Sequence, residues 1–327
     1  MLLDGFDPLV MARAAQALAA GNLVAFPTET VYGLGARADD DSAVAKIFAA
    51  KGRPVDHPLI VHVADAALAQ HFAATVSTLA ARLMAGFWPG PLTVIVPRAP
   101  ARGVAAAGGQ DTIALRCPSH PVALALLRRA ADLGVLGVAA PSANRFGRVS
   151  PTTAAHVRGE FDENLWVLDG GPCSVGIESA IVDCSREHPV MLRPGALSRV
   201  QIEAVAGEPL RSRDAAAPRA SGTLEAHYAP RAAVRLMTLS QLNESLHARA
   251  SDAPALAVYS RGAVQGLRHD TVHRHMPLDA AHAAQELFTA LRAFDDEGVQ
   301  VIWVEAPPSD PAWDGVQDRL QRASASS

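Results

Sequence analysis

Leu23-Val24-Ala25-Phe26-Pro27-Thr28-Glu29-Thr30-Val31-Tyr32-Gly33-Leu34-Gly35 is the stretch on which the fold turns. Leu23 to Phe26 is a short apolar run closed by a proline, and it reads as a buried strand. Directly after it come two hydroxyls, a carboxylate and one of only three tyrosines in the chain. In α/β folds ligands bind beyond the carboxyl ends of strands, so this is a candidate ligand loop. The same residues suit capping and turn chemistry, and spacing alone weighs the two equally. Gly33-Leu34-Gly35 lacks the third glycine of a dinucleotide fingerprint and opens no helix, so it reads as a tight turn.

Upstream, Asp7 and Pro8 read as the cap and first turn of a helix. Val10, Ala14, Ala17 and Leu18 fall at helical spacing and Gly21 lies past the end. Downstream, Asp41 reads as the cap of a helix over Ser42–Ala50 that stops at Gly52. Strands are expected at Leu59–Val63, Leu92–Val96, Ile113–Arg116, Leu136–Ala140, Trp166–Leu168, Ala180–Val182 and Val190–Leu192, with a helix over Pro121–Leu133. Neither a strict βαβ repeat nor a run of hairpins dominates, so residues 1–206 are expected to form one mixed-sheet α/β domain. Residues 207–231 are rich in Pro, Arg, Ala and Ser without apolar periodicity and read as a linker. In residues 232–327, strands at Val234–Met237, Ala255–Tyr259 and Val299–Val304 alternate with helices at Leu239–Ala250, Ala280–Phe294 and Trp313–Arg322. That alternation predicts a small parallel-sheet, Rossmann-like α/β domain.

The chain has 327 residues, enough for two domains at roughly 100–200 residues each. With 29 basic and 33 acidic residues its net charge is −4, which excludes a protein that coats nucleic acid by bulk electrostatics. Apolar residues make up 49%, which excludes a mostly disordered chain. No apolar run approaches the roughly 18 residues of a membrane span, and no basic segment followed by an apolar core marks a signal peptide. Three scattered cysteines, Cys117, Cys173 and Cys184, form no C-x-x-C pair and suit a reducing cytoplasm. Of the 29 cations 27 are Arg, leaving only Lys46 and Lys51. A lysine kept against that bias marks a place where a compact ammonium fits and a guanidinium does not.

No P-loop occurs, and no G-x-S-x-G elbow supports a hydrolase triad. Lys51-Gly52-Arg53-Pro54 places two cations in a stiffened turn, suited to clamping a polyphosphate or to complementing a helix C-terminus. Pro141-Ser142-Ala143-Asn144 sets a hydroxyl and an amide just past a strand, as a ligand-binding pair or as an Asx turn. Gly108-Gly109 before Thr112 and Arg116, and Gly170 to Ser179, are glycine-rich loops able to bring backbone N–H groups to an anion. Arg193 closes another strand, and Lys46 reads as a solvated charge. His269, His273 and His275 have no partnering Cys or Glu nearby and read as a surface loop, so no metal ligands are expected.

Together, FPTETVYGLG (Phe26–Gly35), KGRP (Lys51–Pro54), HPLIVHV (His57–Val63), WPGPLT (Trp88–Thr93), PSAN (Pro141–Asn144), GIESAIVD (Gly176–Asp183) and LRPGAL (Leu192–Leu197) resemble the YrdC-like family. The length and HYAP (His227–Pro230) resemble its long two-domain form, the threonylcarbamoyl-AMP synthases. The resemblance implies a twisted mixed-sheet domain with a concave site. It also implies a cytoplasmic nucleotidyltransferase that makes threonylcarbamoyl-AMP and pyrophosphate from L-threonine, bicarbonate or CO2, and ATP with Mg2+. A partner transferase would then modify tRNA beside the anticodon, and weak contact with RNA itself is left open. Carried over by motif, Lys51 and Arg53 would be catalytic. Thr30, His62, Arg116, Ala140 and Ser179 would hold threonine. Arg53, His57, Thr112, Ser142, Asn144, Ser150, Arg193 and Tyr228 would line the ATP site, and residues 207–231 would fold over it as a lid. A carbamoyltransferase of the hydrogenase-maturation type, which shares the domain, would add zinc fingers with C-x-x-C pairs, and this chain has none.

Overall fold

Short strands, the central ones apolar and buried on both faces, assemble among the described residues into one sheet of eleven strands. In chain order these are β1 (Leu2–Asp4), β2 (Val24–Phe26), β3 (Gly33–Arg37), β4 (Ile60–His62), β5 (Leu92–Pro97), β6 (Thr112–Arg116), β7 (Val138–Ala139), β8 (Trp166–Asp169), β9 (Ala180–Asp183), β10 (Val190–Arg193) and β11 (Arg211–Ser212). Their spatial order is β1-β8-β2-β3-β7-β4-β6-β5-β9-β10-β11. Parallel pairs such as β4/β6 and β5/β9 interleave with antiparallel pairs such as β2/β3 and β5/β6, so the sheet is mixed. The structure, a computed structural model, describes residues 1–250 and 252–325.

Period-two alternation divides the central strands cleanly. Val61, Val94, Leu115 and Val182 point into the main core, with Val44, Ile47 and Leu83 of the helices Asp41–Lys51 and Thr78–Phe87. Ile60, Ile95, Ala114 and Ile181 point the other way into a smaller apolar patch. Two residues along each strand, on that second face, stand His62, Thr93, Arg116 and Ser179. The helices Pro8–Ala19 and Pro121–Ala131 pack together over β2 and β8 with a core of their own.

The helix beginning after Asp7 has the expected cap, with Pro8 in its first turn. The second helix is capped by Asp40 rather than Asp41, since the Asp40 side chain accepts from the Ser42 and Ala43 N–H groups. Gly33-Leu34-Gly35 is not a tight turn. It opens β3, antiparallel to β2. A Cβ on Gly35 would stand 2.8 Å from both the Phe26 ring and Val138, so the glycine serves close packing within the sheet.

The chain divides into two units, one made of Met1–Phe146 with Ser150–Thr223 and the other of Gly147–Val149 with Leu224–Ser327. The stretch expected to be a linker and lid therefore belongs to the first unit up to Thr223 and to the second from Leu224. Arg211–Ser212 pairs with β10, and Ala217 and Ala220 cover the patch of Ile60 and Ile181. Apolar periodicity could not show this, because two alanines suffice to cover a patch already built by other strands.

The second unit carries β12 (Ala233–Met237), β13 (Leu256–Ser260), β14 (Val272–His275) and β15 (Val301–Glu305), all parallel, in the order β12-β15-β13-β14. His273 and His275 lie on the edge strand β14, not in a loop, and Ser260 Oγ bonds His273 Nε2 at 3.1 Å. The polar sequence hid this strand, because its side chains are mostly exposed. Among the described residues no helix is long and apolar enough to cross a membrane.

Candidate active site

Thr28 organises the loop after β2. Its hydroxyl donates to the Val31 carbonyl at 2.7 Å and lies 2.8 Å from Thr30 Oγ1. The loop turns back on itself and presents Thr30 to Arg116 at the end of β6, whose Nη1 donates to Thr30 Oγ1 at 2.8 Å. Arg116 Nε donates to the Gly90 carbonyl at 3.3 Å, and Nη2 stands 2.8 Å from the Glu29 carboxylate. Beside it, in register on β4, lies His62. This ring is buried, its Nδ1 has no partner, and Phe26 meets it edge-on. Burial, then the neighbouring Arg116 charge, pushes its pKa down to about 3. The imidazole is neutral at physiological pH and can accept or donate one hydrogen bond.

Ser179, just before β9, shares a 2.8 Å hydrogen bond with Thr93 of β5. Arg193 at the end of β10 spans the gap. Nη2 donates to the Ser179 carbonyl at 2.9 Å and to its hydroxyl at 3.2 Å, and Nη1 donates to the Ser221 carbonyl at 2.9 Å. The Ser221 hydroxyl lies 3.4 Å from Arg53 Nη2, which also donates to the Pro58 carbonyl at 3.0 Å. Ser221 thus links the two arginines. Arg53 lies over the Phe146 ring, and His57 tilts against that same ring. Partial burial, then Arg53, lowers the His57 pKa.

Lys51 is the last residue of its helix, followed by Gly52 in the left-handed conformation (φ 64°). The turn sends its side chain inward, where Nζ donates to the Ser142 carbonyl at 2.7 Å and to the Asn144 carbonyl. Burial, then Arg53, holds its pKa well below the usual lysine value. Lys51 therefore tethers the PSAN segment. That segment is also bound through Leu34 N to the Pro141 carbonyl and Ala143 N to the Tyr32 carbonyl. Ala140 N donates to the Ile60 carbonyl at 3.0 Å. Ser150 Oγ donates to the buried Glu178 carboxylate. Thr112 begins β6, half-buried. Tyr32 does not offer its hydroxyl to a ligand, since it donates to the Gly171 carbonyl at 2.7 Å. Lys46 is on the exposed side of its helix, with Nζ donating to the Gly21 carbonyl.

Thr30, His62, Arg116, Ser179 and Arg193 thus come together, as do Lys51, Arg53, His57, Ser142 and Asn144. Tyr228 belongs to the second unit. There it adopts a left-handed backbone (φ 62°), stacks on Phe288 and lies under the Arg319 guanidinium. Thr93 and Ser221 were not expected as site residues, and Glu29 was expected only as the carboxylate of the candidate ligand loop, with no role of its own. The two-residue offset from Ile95 was the signal for Thr93, whereas nothing local marks Ser221. A cleft of about 500 Å³ lined by Lys46, Arg145 and Trp166 holds none of these groups, so chemistry rather than volume marks the candidate site.

A family model described as "Telomere recombination" matches residues 16–195, and one described as "Threonylcarbamoyl-AMP synthase, C-terminal domain" matches residues 197–325. A Bacillus subtilis protein named threonylcarbamoyl-AMP synthase is 38% identical, across 97% of this chain and 93% of its own length. The chain belongs to the threonylcarbamoyl-AMP synthase family. A Pyrococcus abyssi threonylcarbamoyl-AMP synthase is likewise 38% identical, over 95% of this chain and 93% of its own. A crystal structure of P. abyssi Sua5 complexed with L-threonine superposes with a TM-score of 0.87 at 36% identity, covering 97% of this chain and 94% of that one.

Proposed function

We propose that this chain is an L-threonylcarbamoyladenylate synthase. The threonine amine adds to CO2, supplied directly or from bicarbonate, to give a carbamate. A carbamate oxygen then attacks the α-phosphate of ATP, and pyrophosphate leaves. The protein's part is to hold threonine, neutralise the triphosphate and keep a labile mixed anhydride from water. Arg116 takes the threonine carboxylate as a planar fork, with Thr30, His62, Ser179 and the Ala140 backbone around the rest of the amino acid. Arg193, Arg53, Thr112, Ser142, Asn144, Ser150, His57 and Tyr228 serve the nucleotide. Lys51 shapes the nucleotide loop and adds positive charge where negative charge develops.

Mg2+ would be held by the ATP phosphates rather than by a protein cage, and would supply neutralisation of their charge. The donor set suits this: Glu29 is paired with Arg116 and Glu178 with Ser150, and the described residues hold no group of three metal-ligating side chains. The product passes in the cytoplasm to a transferase that acts on tRNA. The segment around Ser221 acts as a lid, because its carbonyl and hydroxyl sit on Arg193 and Arg53, the cations that phosphates would take.

The observation that carries this reading is the buried polar set of Arg116, Thr30, neutral His62 and Ser179, with Ser179 linked through Arg193 and Ser221 to Arg53. Incubation with labelled bicarbonate, threonine and ATP should place label in an adenylate that releases AMP on hydrolysis. Label that appears equally without threonine would contradict it.

A further inference from the structure

Glu29 is a buried carboxylate that the mechanism above gives no task. It is almost wholly enclosed, and its carboxylate and its carbonyl join different segments. One carboxylate oxygen faces Arg116 Nη2 at 2.8 Å, on β6. The other accepts from the Ser119 N–H at 3.1 Å, in the turn leading into the helix Pro121–Ala131. Its carbonyl accepts from the Val175 N–H at 2.7 Å, in the glycine-rich loop that leads to Ser179. Through Arg116 Nε the set reaches Gly90, which precedes Thr93. Glu29 therefore joins its own loop to the end of β6 with the turn after it and to the glycine-rich loop, and Arg116 extends the set to Gly90.

A guanidinium can swing about its long stem, and a rotation of a few tens of degrees would withdraw its fork from a carboxylate. Here each of its three nitrogens is engaged: Nε donates to Gly90, Nη1 donates to Thr30, and Nη2 is ion-paired with Glu29. The pairing also compensates a cation that is 96% removed from solvent, a position no isolated charge tolerates.

We propose that Glu29 is the positioning residue of the amino-acid site, setting the Arg116 guanidinium and the Thr30 loop for the substrate carboxylate without touching the nucleotide. The proposal rests on the threonine-binding reading above. It predicts a split between the two substrates that a general loss of structure would not produce.

The test is steady-state pyrophosphate release by the full chain, with threonine and ATP varied in turn, for wild type, Glu29→Gln and Glu29→Asp. In Glu29→Gln, KM for threonine should rise by roughly tenfold or more while KM for ATP stays within about twofold, the loss of one charge-assisted contact. Glu29→Asp, which keeps the charge, should recover part of the difference. Equal rises in both KM values, an unchanged threonine KM, or two variants that fail to fold by circular dichroism would each overturn the proposal. Wild-type turnover that ignores threonine would instead sink the parent reading, so the two failures are distinct.

Discussion

Lys51 shows what one residue's surroundings demand. Its ammonium sits buried between two backbone carbonyls, a space matched to a compact point charge. Lys51→Arg should lower turnover by roughly tenfold or more, about 1.4 kcal/mol or more of barrier, while the circular dichroism spectrum is unchanged. Full activity in that variant would reduce the lysine scarcity to a compositional bias. His62 offers a second prediction, through pH. Its pKa falls from an ordinary 6.5 to about 3 on folding, so between those values the unfolded chain holds the extra proton. Stability from this group is complete above pH 6.5 and declines as pH falls toward 3, by at most about 1.4 kcal/mol per pH unit. His62→Asn should flatten that acid limb in denaturant titrations across pH 4 to 7, and an identical slope would contradict the assignment. The polar residues of both groups were legible in the sequence because each stands in a short motif at a strand or helix end. What they touch was not, since the partners of Lys51 lie some ninety residues away.

At the scale of elements, patterns that rest on local chemistry were readable and those that rest on tertiary packing were not. Asp7-Pro8 names its own helix start, and Leu92–Pro97 and Thr112–Arg116 announce themselves as buried strands. Gly33–Arg37 did not, because two glycines in a strand make sense only beside the Phe26 ring and Val138 that press against Gly35. Gly35→Ala should therefore destabilise the protein by about 1–3 kcal/mol, the usual cost of overpacking. Chemical denaturation measures it, and a variant as stable as wild type would mean the sheet relaxes freely there. The exposed strand Val272–His275 was invisible for the opposite reason, having almost no side-chain burial to leave a pattern.

At the scale of the whole molecule, the first unit ends at Thr223 rather than near residue 206. Leu210, Ala217 and Ala220 cover apolar surface on it. A chain stopped at Val205 should be less stable than one stopped at Thr223 by at least the roughly 2 kcal/mol of one buried leucine. Equal melting of the two by calorimetry would mean that the segment adds no stability to the first unit. The division into a mixed-sheet unit and a small parallel-sheet unit was legible from where apolar runs alternate with helices. The fate of the segment between them was not, since it carries little apolar signal of its own. If one chain couples an amino acid, CO2 and ATP, pyrophosphate release from ATP must depend on threonine and on bicarbonate. Followed with and without each, release should occur only when both are present, and release at the same rate without threonine would rule the coupling out.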